Sequence, residues 1–352
     1  MRFAYVFAAL AVPIYAHPSM TNLVNELMSR QADDSTLEND DIAADLHKVS
    51  DSSLTSVGQE IRDLLARKGN PQTTEHYGSV PDLGSDKCQK DTCCVWSYIG
   101  KEMRDTFLNP DDSCNRFARQ MVRLGFHDCI THAGRGKGGC DGSIVNSNDE
   151  NARVENKGMQ EITSKLKQWF NKYEKYGITM ADLIQFGASV AVHTCPGGPS
   201  CKVFMGRQDT NDANPSGLVP TPFDTAEQLI QKFKAKSLDE QSLASLLGSH
   251  TISQQFVVDP KRAGDPQDST PTKWDQKYYV QTLDQSKAPS NVFSFASDIN
   301  LAKDKVGQTW FQIFATDKDR WDNAYCYGFI RLSLIGTYNL NDLHDCSKAL
   351  PV

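Results

Sequence analysis

Arg123-Leu124-Gly125-Phe126-His127-Asp128-Cys129 is the stretch on which the reading of this chain turns. Arg123 and His127 are four residues apart, so on a helix they project from one face. A permanent cation then stands beside an imidazole able to take a proton near neutral pH. In isolation such a pair is most often surface charge next to a core histidine. The residues that follow give it company: Asp128, the carbonyl of Gly139, Asp141 and Ser143 are hard oxygen donors of the kind calcium takes. An ion held there would lie one residue beyond the candidate base and anchor its helix. A neutral histidine acts as a base at Nε2 only if Nδ1 keeps its proton, which calls for an acceptor. Asn156 suits that role, with Glu150 orienting the network through water or its side chain. A second histidine, His250 in Leu246-Leu247-Gly248-Ser249-His250-Thr251, has apolar flanks and suits a metal ligand.

Outside these stretches, residues 1–16 read as a secretory signal: Arg2, an almost wholly apolar run from Phe3 to Ile14, and the small Ala16. The run is too short to span a bilayer comfortably, and no later stretch approaches that length, so no membrane partner is expected. The ten cysteines are even in number and include no Cys-x-x-Cys pair, which in an oxidising compartment predicts five disulfides. No Asn-x-Ser/Thr sequon lacks a proline at its middle position. A net charge of −7 argues against nucleic acid. The glycine-rich run 134–139 lacks the Gly-Lys-Ser/Thr order of a phosphate loop and reads as a loop between two cysteines.

Residues 17–85 carry no cysteine and are rich in Asp, Ser, Asn and Gln; an amphipathic patch at Val57, Ile61, Leu64 and Leu65 is too little for a core of its own. The segment reads as a polar extension or propeptide, with Arg67-Lys68 as a candidate processing point. The body is then 86–352, and its pattern is mainly helical with few strand signals. Helices are expected over 91–107, 113–130, 150–157, 159–174, 180–193, 224–234, 238–249, 274–282, 297–304, 306–319 and 323–336.

Taken in order, Arg123-x-x-Phe126-His127-Asp128, Gly139-x-Asp141-x-Ser143, Glu150, and Asn156-x-Gly158 resemble the distal half of the plant-type haem peroxidase superfamily. Cys195-Pro196-Gly197-Gly198-Pro199 and Gly206-Arg207-x-Asp209 continue the likeness, and Gly217-Leu218-Val219-Pro220-Thr221-Pro222-Phe223 is similar to the secreted fungal class II branch. The resemblance covers about residues 86–350 and implies a two-lobed, all-helical fold with haem b between the lobes. It also implies His250 as the iron ligand, Phe126 at the cofactor, and Asp298 as the carboxylate that accepts from the ligand's Nδ1. It implies two Ca2+ sites: Asp128, Gly139, Asp141 and Ser143 at the first, and Thr251, Asp268, Thr270, the carbonyl of Lys273 and Asp275 at the second. The expected catalytic set is Arg123, His127, Glu150, Asn156 and Asp298. The expected partners are hydrogen peroxide and phenolic or other small reductants, acting on a secreted monomer.

The chain departs from the specialised relatives at several positions. Arg116, Gln120 and Phe256 stand where manganese-oxidising members carry carboxylates, and Ser245 stands where others carry a surface tryptophan. Gln267 replaces an aromatic ring before the first proximal calcium aspartate, and Thr309 replaces one cysteine of a late disulfide. The five tryptophans, at 96, 169, 274, 310 and 321, are expected to pack in the core. For the cysteines the resemblance suggests Cys88–Cys94, Cys93–Cys346 and Cys114–Cys195, with Cys129–Cys140 pairing as in plant secreted relatives; Cys201 and Cys326 remain. Two other readings compete: a haem-free, calcium-binding interaction protein on the same fold, and a zinc hydrolase built on His127, Asp128 and His132.

Overall fold

Short polar side chains open most of the helices in the computed structural model, which describes residue 42 and residues 45–352. The signal reading of 1–16 and the first part of the polar segment lie outside the described residues. The early helices are α1 (Ser56–Leu65), α2 (Asp86–Gln89), α3 (Cys94–Phe107), α4 (Arg116–Ile130), α5 (Ser143–Asn146), α6 (Asn148–Asn151), α7 (Gln160–Tyr173) and α8 (Met180–Thr194). The later ones are α9 (Ala226–Lys234), α10 (Glu240–Leu247), α11 (Lys277–Leu283), α12 (Ala296–Lys303), α13 (Lys305–Thr316) and α14 (Lys318–Ser333). The caps have local causes. The Asn115 side chain accepts from Phe117 N at 2.8 Å to start α4, and Thr225 with Gln228 forms a reciprocal capping box on α9. The only sheet among the described residues is two-stranded: β1 (Phe204–Met205) pairs antiparallel with β2 (His344–Asp345), placing Phe204 opposite Asp345.

The helices pack as two sets. In the first, α3, α4 and α7 surround α8, which is buried from Met180 to Val192 because almost every residue on it is small or apolar. Gly125 lets α4 approach α8 closely: a Cβ there would lie 2.7 Å from the Cβ of Ala188. In the second set α9 to α14 pack on one another, and α14 also touches α4. This is the mainly helical, two-part architecture that the resemblance implies. The expected helices are found with shifted ends. The helix expected over 306–319 stops at Thr316, because Asp317 leaves helical geometry and its side chain accepts from Arg320 N at 2.9 Å to start α14. The stretch 150–157 splits into α6 and a 3-10 turn, Val154–Asn156.

The boundary expected at residue 86 does not coincide with a packing boundary. Leu46, Ile61, Leu64 and Leu65 are all buried, so the amphipathic patch of α1 packs against the body rather than forming a core of its own. The Thr55 hydroxyl donates to the Asn341 carbonyl at 2.7 Å, and Arg331 donates to the Leu65 carbonyl at 2.7 Å. Arg67, in the candidate processing point, donates to both Asp239 oxygens at 2.8 Å and to Ser242 at 2.9 Å.

All ten cysteines are paired: Cys88–Cys94, Cys93–Cys346, Cys114–Cys195, Cys129–Cys140 and Cys201–Cys326. The glycine-rich run 134–139 is the loop closed by Cys129–Cys140. Because Ile61 is fully buried, Ile61→Ala should lower folding stability by about 2–5 kcal/mol. Denaturant unfolding of the purified protein measures this, and an unchanged midpoint would show that α1 is not part of the cooperative unit.

Candidate active site

Helix α4 places Arg123 and His127 on one face, with Arg123 Nε donating toward His127 Nε2 at 3.4 Å. The guanidinium is also fixed at its far end, donating to the carbonyls of Lys157 at 2.9 Å and Glu155 at 2.7 Å. On its other side the His127 ring bonds through Nδ1 to Asn156 Oδ1 at 2.9 Å. The amide oxygen of Asn156 only accepts, so Nδ1 carries the proton and Nε2 presents its lone pair. Burial, reinforced by the Arg123 charge and only partly offset by the Asn156 bond, pushes the His127 pKa down to about 3. The ring is therefore neutral at ordinary pH, as a base must be. Asn156 is held in turn by its amide, which donates to the Glu150 carbonyl at 2.8 Å.

Glu150 joins this network differently from the sequence expectation. Its backbone carbonyl orients Asn156, while its carboxylate turns away and accepts from Asn214 N at 2.7 Å. That carboxylate adds negative charge near Asp128 and Asp141. Burial first, then the charges of Asp141 and Glu150, push the Asp128 pKa well up. Burial likewise pushes Asp141 up to about 6, with the Glu150 charge adding to it. Asp128 Oδ1, Ser143 Oγ and Glu150 Oε1 are buried without a hydrogen-bond partner. Unpaired buried oxygens among crowded carboxylates are what a hard divalent cation satisfies, so the donor chemistry of Asp128, Gly139, Asp141 and Ser143 fits calcium. Asn214 was not anticipated. Its amide donates to Thr131 Oγ1 at 2.9 Å and to the Gly139 carbonyl at 3.2 Å, tying the loop to α4. No sequence signal marks it, because a single asparagine ahead of a proline is ordinary loop composition.

The Phe126 ring stacks at 5.9 Å on Phe233 of α9, linking the distal helix to the second helix set. On that side His250 lies in the 3-10 turn Gly248–Ile252 that follows α10. Its Nδ1 bonds to Asp298 Oδ2 at 2.8 Å. Asp298 is almost fully buried in the first turn of α12, whereas the His250 side chain is 26% exposed. With Nδ1 committed to the buried carboxylate, the ring is held in one orientation and Nε2 is the nitrogen left to ligate. His250 and Asp298 have the chemistry of a ligand that would hold a haem iron and of that ligand's hydrogen-bond partner.

The second set of expected calcium ligands is also brought together. Thr251 Oγ1 donates to Asp268 Oδ2 at 2.5 Å and to the Lys273 carbonyl at 3.5 Å. Thr270 N donates to Asp268 Oδ1 at 2.7 Å. Burial pushes the Asp268 pKa up to about 7, and the nearby Asp275 charge adds to it. Among the described residues no three His, Cys, Asp or Glu side chains form a metal-holding group. The zinc reading of His127, Asp128 and His132 therefore has no assembled site. Both calcium sets draw instead on two carboxylates each, with hydroxyl and carbonyl oxygens.

The departing positions have their own partners. Arg116 pairs with Glu161 at 2.8 Å and Gln120 donates to the same carboxylate at 2.9 Å. Ser245 is fully buried, and Gln267 accepts from the Ser253 hydroxyl. All five tryptophans are buried.

The sequence profile of the family described as peroxidase matches residues 100–317. A versatile peroxidase of Pleurotus eryngii is 31% identical over 284 residues, covering 74% of this chain and 75% of the relative. A ligninase of Phanerodontia chrysosporium is 30% identical over 321 residues, 82% of this chain and 85% of its own. A peroxidase of Arthromyces ramosus is 28% identical over 297 residues, 78% of this chain and 80% of its own. Helical architecture, site and relatives agree: the chain belongs to the peroxidase family, in its plant-type branch, with fungal class II peroxidases as relatives. It is an oxidoreductase of the haem peroxidase class, for which membership implies haem, hydrogen peroxide and a reducing substrate.

Asn156→Ala should leave the His127 Nδ1–H buried without its acceptor and cost about 1–3 kcal/mol of stability. Equilibrium unfolding measures it; an unchanged midpoint would mean that the bond at Nδ1 does not hold the ring.

Proposed function

We propose that this protein is a secreted haem peroxidase of generic low-redox-potential type, reducing hydrogen peroxide to water and oxidising phenols or similar small donors by one-electron steps. The observation that carries this reading is the bond from His127 Nδ1 to Asn156 Oδ1, 2.9 Å long, which leaves Nε2 as a base beside Arg123. When bound, haem b supplies the redox chemistry. His250 would hold it through Nε2, with Asp298 bonded to the opposite ring nitrogen.

His127 Nε2 takes a proton from one oxygen of the peroxide and returns it to the other, so that water departs. Transfer of this kind contributes a factor of about 10² to 10⁴. Arg123 lies where negative charge builds up as the O–O bond breaks, a contribution of about 10² to 10³ for one fixed donor. Asp128, Gly139, Asp141 and Ser143 would hold a calcium ion that restrains α4 one residue past the base. Thr251, Asp268, Thr270, Lys273 and Asp275 would hold a second that restrains the turn one residue past His250.

The donor range follows from what the chain lacks. Arg116, Gln120 and Phe256 offer no carboxylate for manganese, and Ser245 is a buried residue that cannot be oxidised as an indole can. Five disulfides suit an oxidising compartment, and no helix among the described residues is long and apolar enough to cross a membrane.

His127→Ala should slow the first oxidation of the haem by hydrogen peroxide about 10²-fold or more while the haem stays bound. Stopped-flow absorbance follows that step, and an undiminished rate would remove His127 from it. Calcium chelation should lower both the melting temperature and the turnover of phenols, and added calcium should restore them. Full stability and activity in metal-stripped protein would reject both calcium assignments.

A further inference from the structure

Behind His250 runs a continuous line of oxidisable rings for which peroxide cleavage has no use. Tyr278 meets the His250 ring edge-on at 5.6 Å between centroids, and Tyr279 meets Tyr278 at 5.2 Å. Trp321 lies 5.3 Å from Tyr279, and Trp274 is stacked on Trp321 at 4.8 Å with the planes 3° apart. The local sequence builds this line. Tyr278 and Tyr279 are neighbours on α11, Trp321 comes from the first turn of α14, and Trp274 from the loop held by its N–H donating to the Pro196 carbonyl at 2.9 Å. All four rings are at most 1% exposed.

Aromatic clusters commonly fill cores, and Phe311 and Phe314 flank the tyrosines in just that way. Packing alone does not explain the polar end of the line. The Trp274 indole Nε1–H donates to the Asp322 carboxylate at 3.1 Å. Lys318 holds the other oxygen of that carboxylate, and its side chain is 33% exposed, so the buried line ends in a carboxylate that communicates with solvent. Tyrosine and tryptophan are the side chains that give up single electrons most readily. A stacked second indole spreads the resulting positive charge, and a carboxylate at the N–H stabilises it and accepts the proton.

We propose that the stacked Trp274–Trp321 pair is an internal one-electron redox site, connected to the proximal histidine through Tyr279 and Tyr278. The inference rests on the peroxidase reading, because hydrogen peroxide acting at the haem is the oxidant. In each event one electron passes from the pair to the peroxide-oxidised haem, which loses one oxidising equivalent. The indole proton of Trp274 moves to Asp322. A phenolic donor at the surface beside Lys318 then gives up one electron and one proton. The electron reduces the pair, Asp322 returns its proton to the Trp274 nitrogen and is again a carboxylate, the phenolic proton passes to water, and the donor leaves as a phenoxyl radical. The oxidising equivalent is thus held away from the haem on rings that bulk solvent does not reach.

The test uses the haem-loaded protein mixed with equimolar hydrogen peroxide in the absence of a donor, then freeze-quenched for electron paramagnetic resonance. A tryptophan radical is expected, identified by narrowing of its hyperfine pattern when the tryptophans are ring-deuterated, and lost in Trp321→Phe. Tyr279→Phe preserves the ring and its packing but not its oxidisable hydroxyl, so it guards against a tryptophan variant that does not fold; the tryptophan signal should fall in it. Peptide mass spectrometry after excess peroxide should find oxygen added at Trp274 or Trp321 in preference to Trp96, Trp169 and Trp310. An oxidised haem with no tryptophan radical, a signal that persists in Trp321→Phe, or modification confined to the other three tryptophans would overturn the proposal. If peroxide leaves the haem spectrum unchanged, the peroxidase reading fails as well, which keeps the two failures distinct.

Discussion

Each of the two site imidazoles is fixed by a single bond at Nδ1, and the chemistry depends on what those bonds leave free. Asn156 binds His127 through a neutral amide oxygen, whereas Asp298 binds His250 through a buried carboxylate. The difference in partner sets the difference in role. An amide oxygen fixes the tautomer without adding charge, so with Arg123 nearby and water excluded the ring stays neutral and its Nε2 remains a base. A carboxylate lends electron density to the ring and makes its Nε2 a stronger ligand. Exchanging the partners would spoil both: a carboxylate at His127 would favour the protonated ring, and an amide at His250 would make it a weaker metal ligand.

Both imidazoles are adjacent in sequence to a group of buried oxygen atoms. Asp128 follows His127 and Thr251 follows His250, and in each case a buried aspartate has its pKa pushed up by burial and a neighbouring carboxylate. A protein that pays this desolvation penalty twice, next to its two reactive rings, has a use for the oxygens. A divalent cation bound there would relieve the repulsion and tie each histidine's backbone to a rigid centre. The disulfide Cys129–Cys140 acts in the same direction on the distal side, closing the loop that carries Gly139 immediately beyond α4.

How much of this was legible in the sequence depended on range. Arg123 and His127 share a helix, so their common face follows from spacing alone, whereas the contact of His127 with Asn156 joins residues 29 apart and is suggested only by residue type. Glu150 touches Asn156 through its backbone carbonyl, and no sequence pattern distinguishes a carbonyl contact from a carboxylate contact. Asn214 bridges elements far apart in the chain and carries no local mark. The docking of α1 was missed because polarity was judged along the segment. Ile61, Leu64 and Leu65 are too few to make a core but enough to complete one, and the Arg67–Asp239 contact joins residues 172 apart in sequence. Asp317 shows the same limit at a helix end: composition suggested a helix running on to 319, and the cap made by one side chain stopped it.

Gly248 joins the turn that carries His250 to the rings behind it. A Cβ at this position would lie 2.2 Å from the Tyr279 hydroxyl and 2.5 Å from Trp321 Nε1, distances that real side chains do not tolerate. The turn carrying His250 can pass against those two rings only because the residue two places ahead of the histidine has no side chain. Tyr279 then donates to the Ala244 carbonyl at 2.9 Å and Trp321 to the Ser245 carbonyl at 3.0 Å, so the rings satisfy carbonyl groups in the last turn of α10. The buried Ser245 fits the same contact, its hydroxyl bonded to the carbonyls of Ser242 and Ala324 where a large side chain would separate α10 from α14. A serine at position 245 is therefore compatible with the close approach that places Trp321 and Tyr279 behind the turn carrying His250.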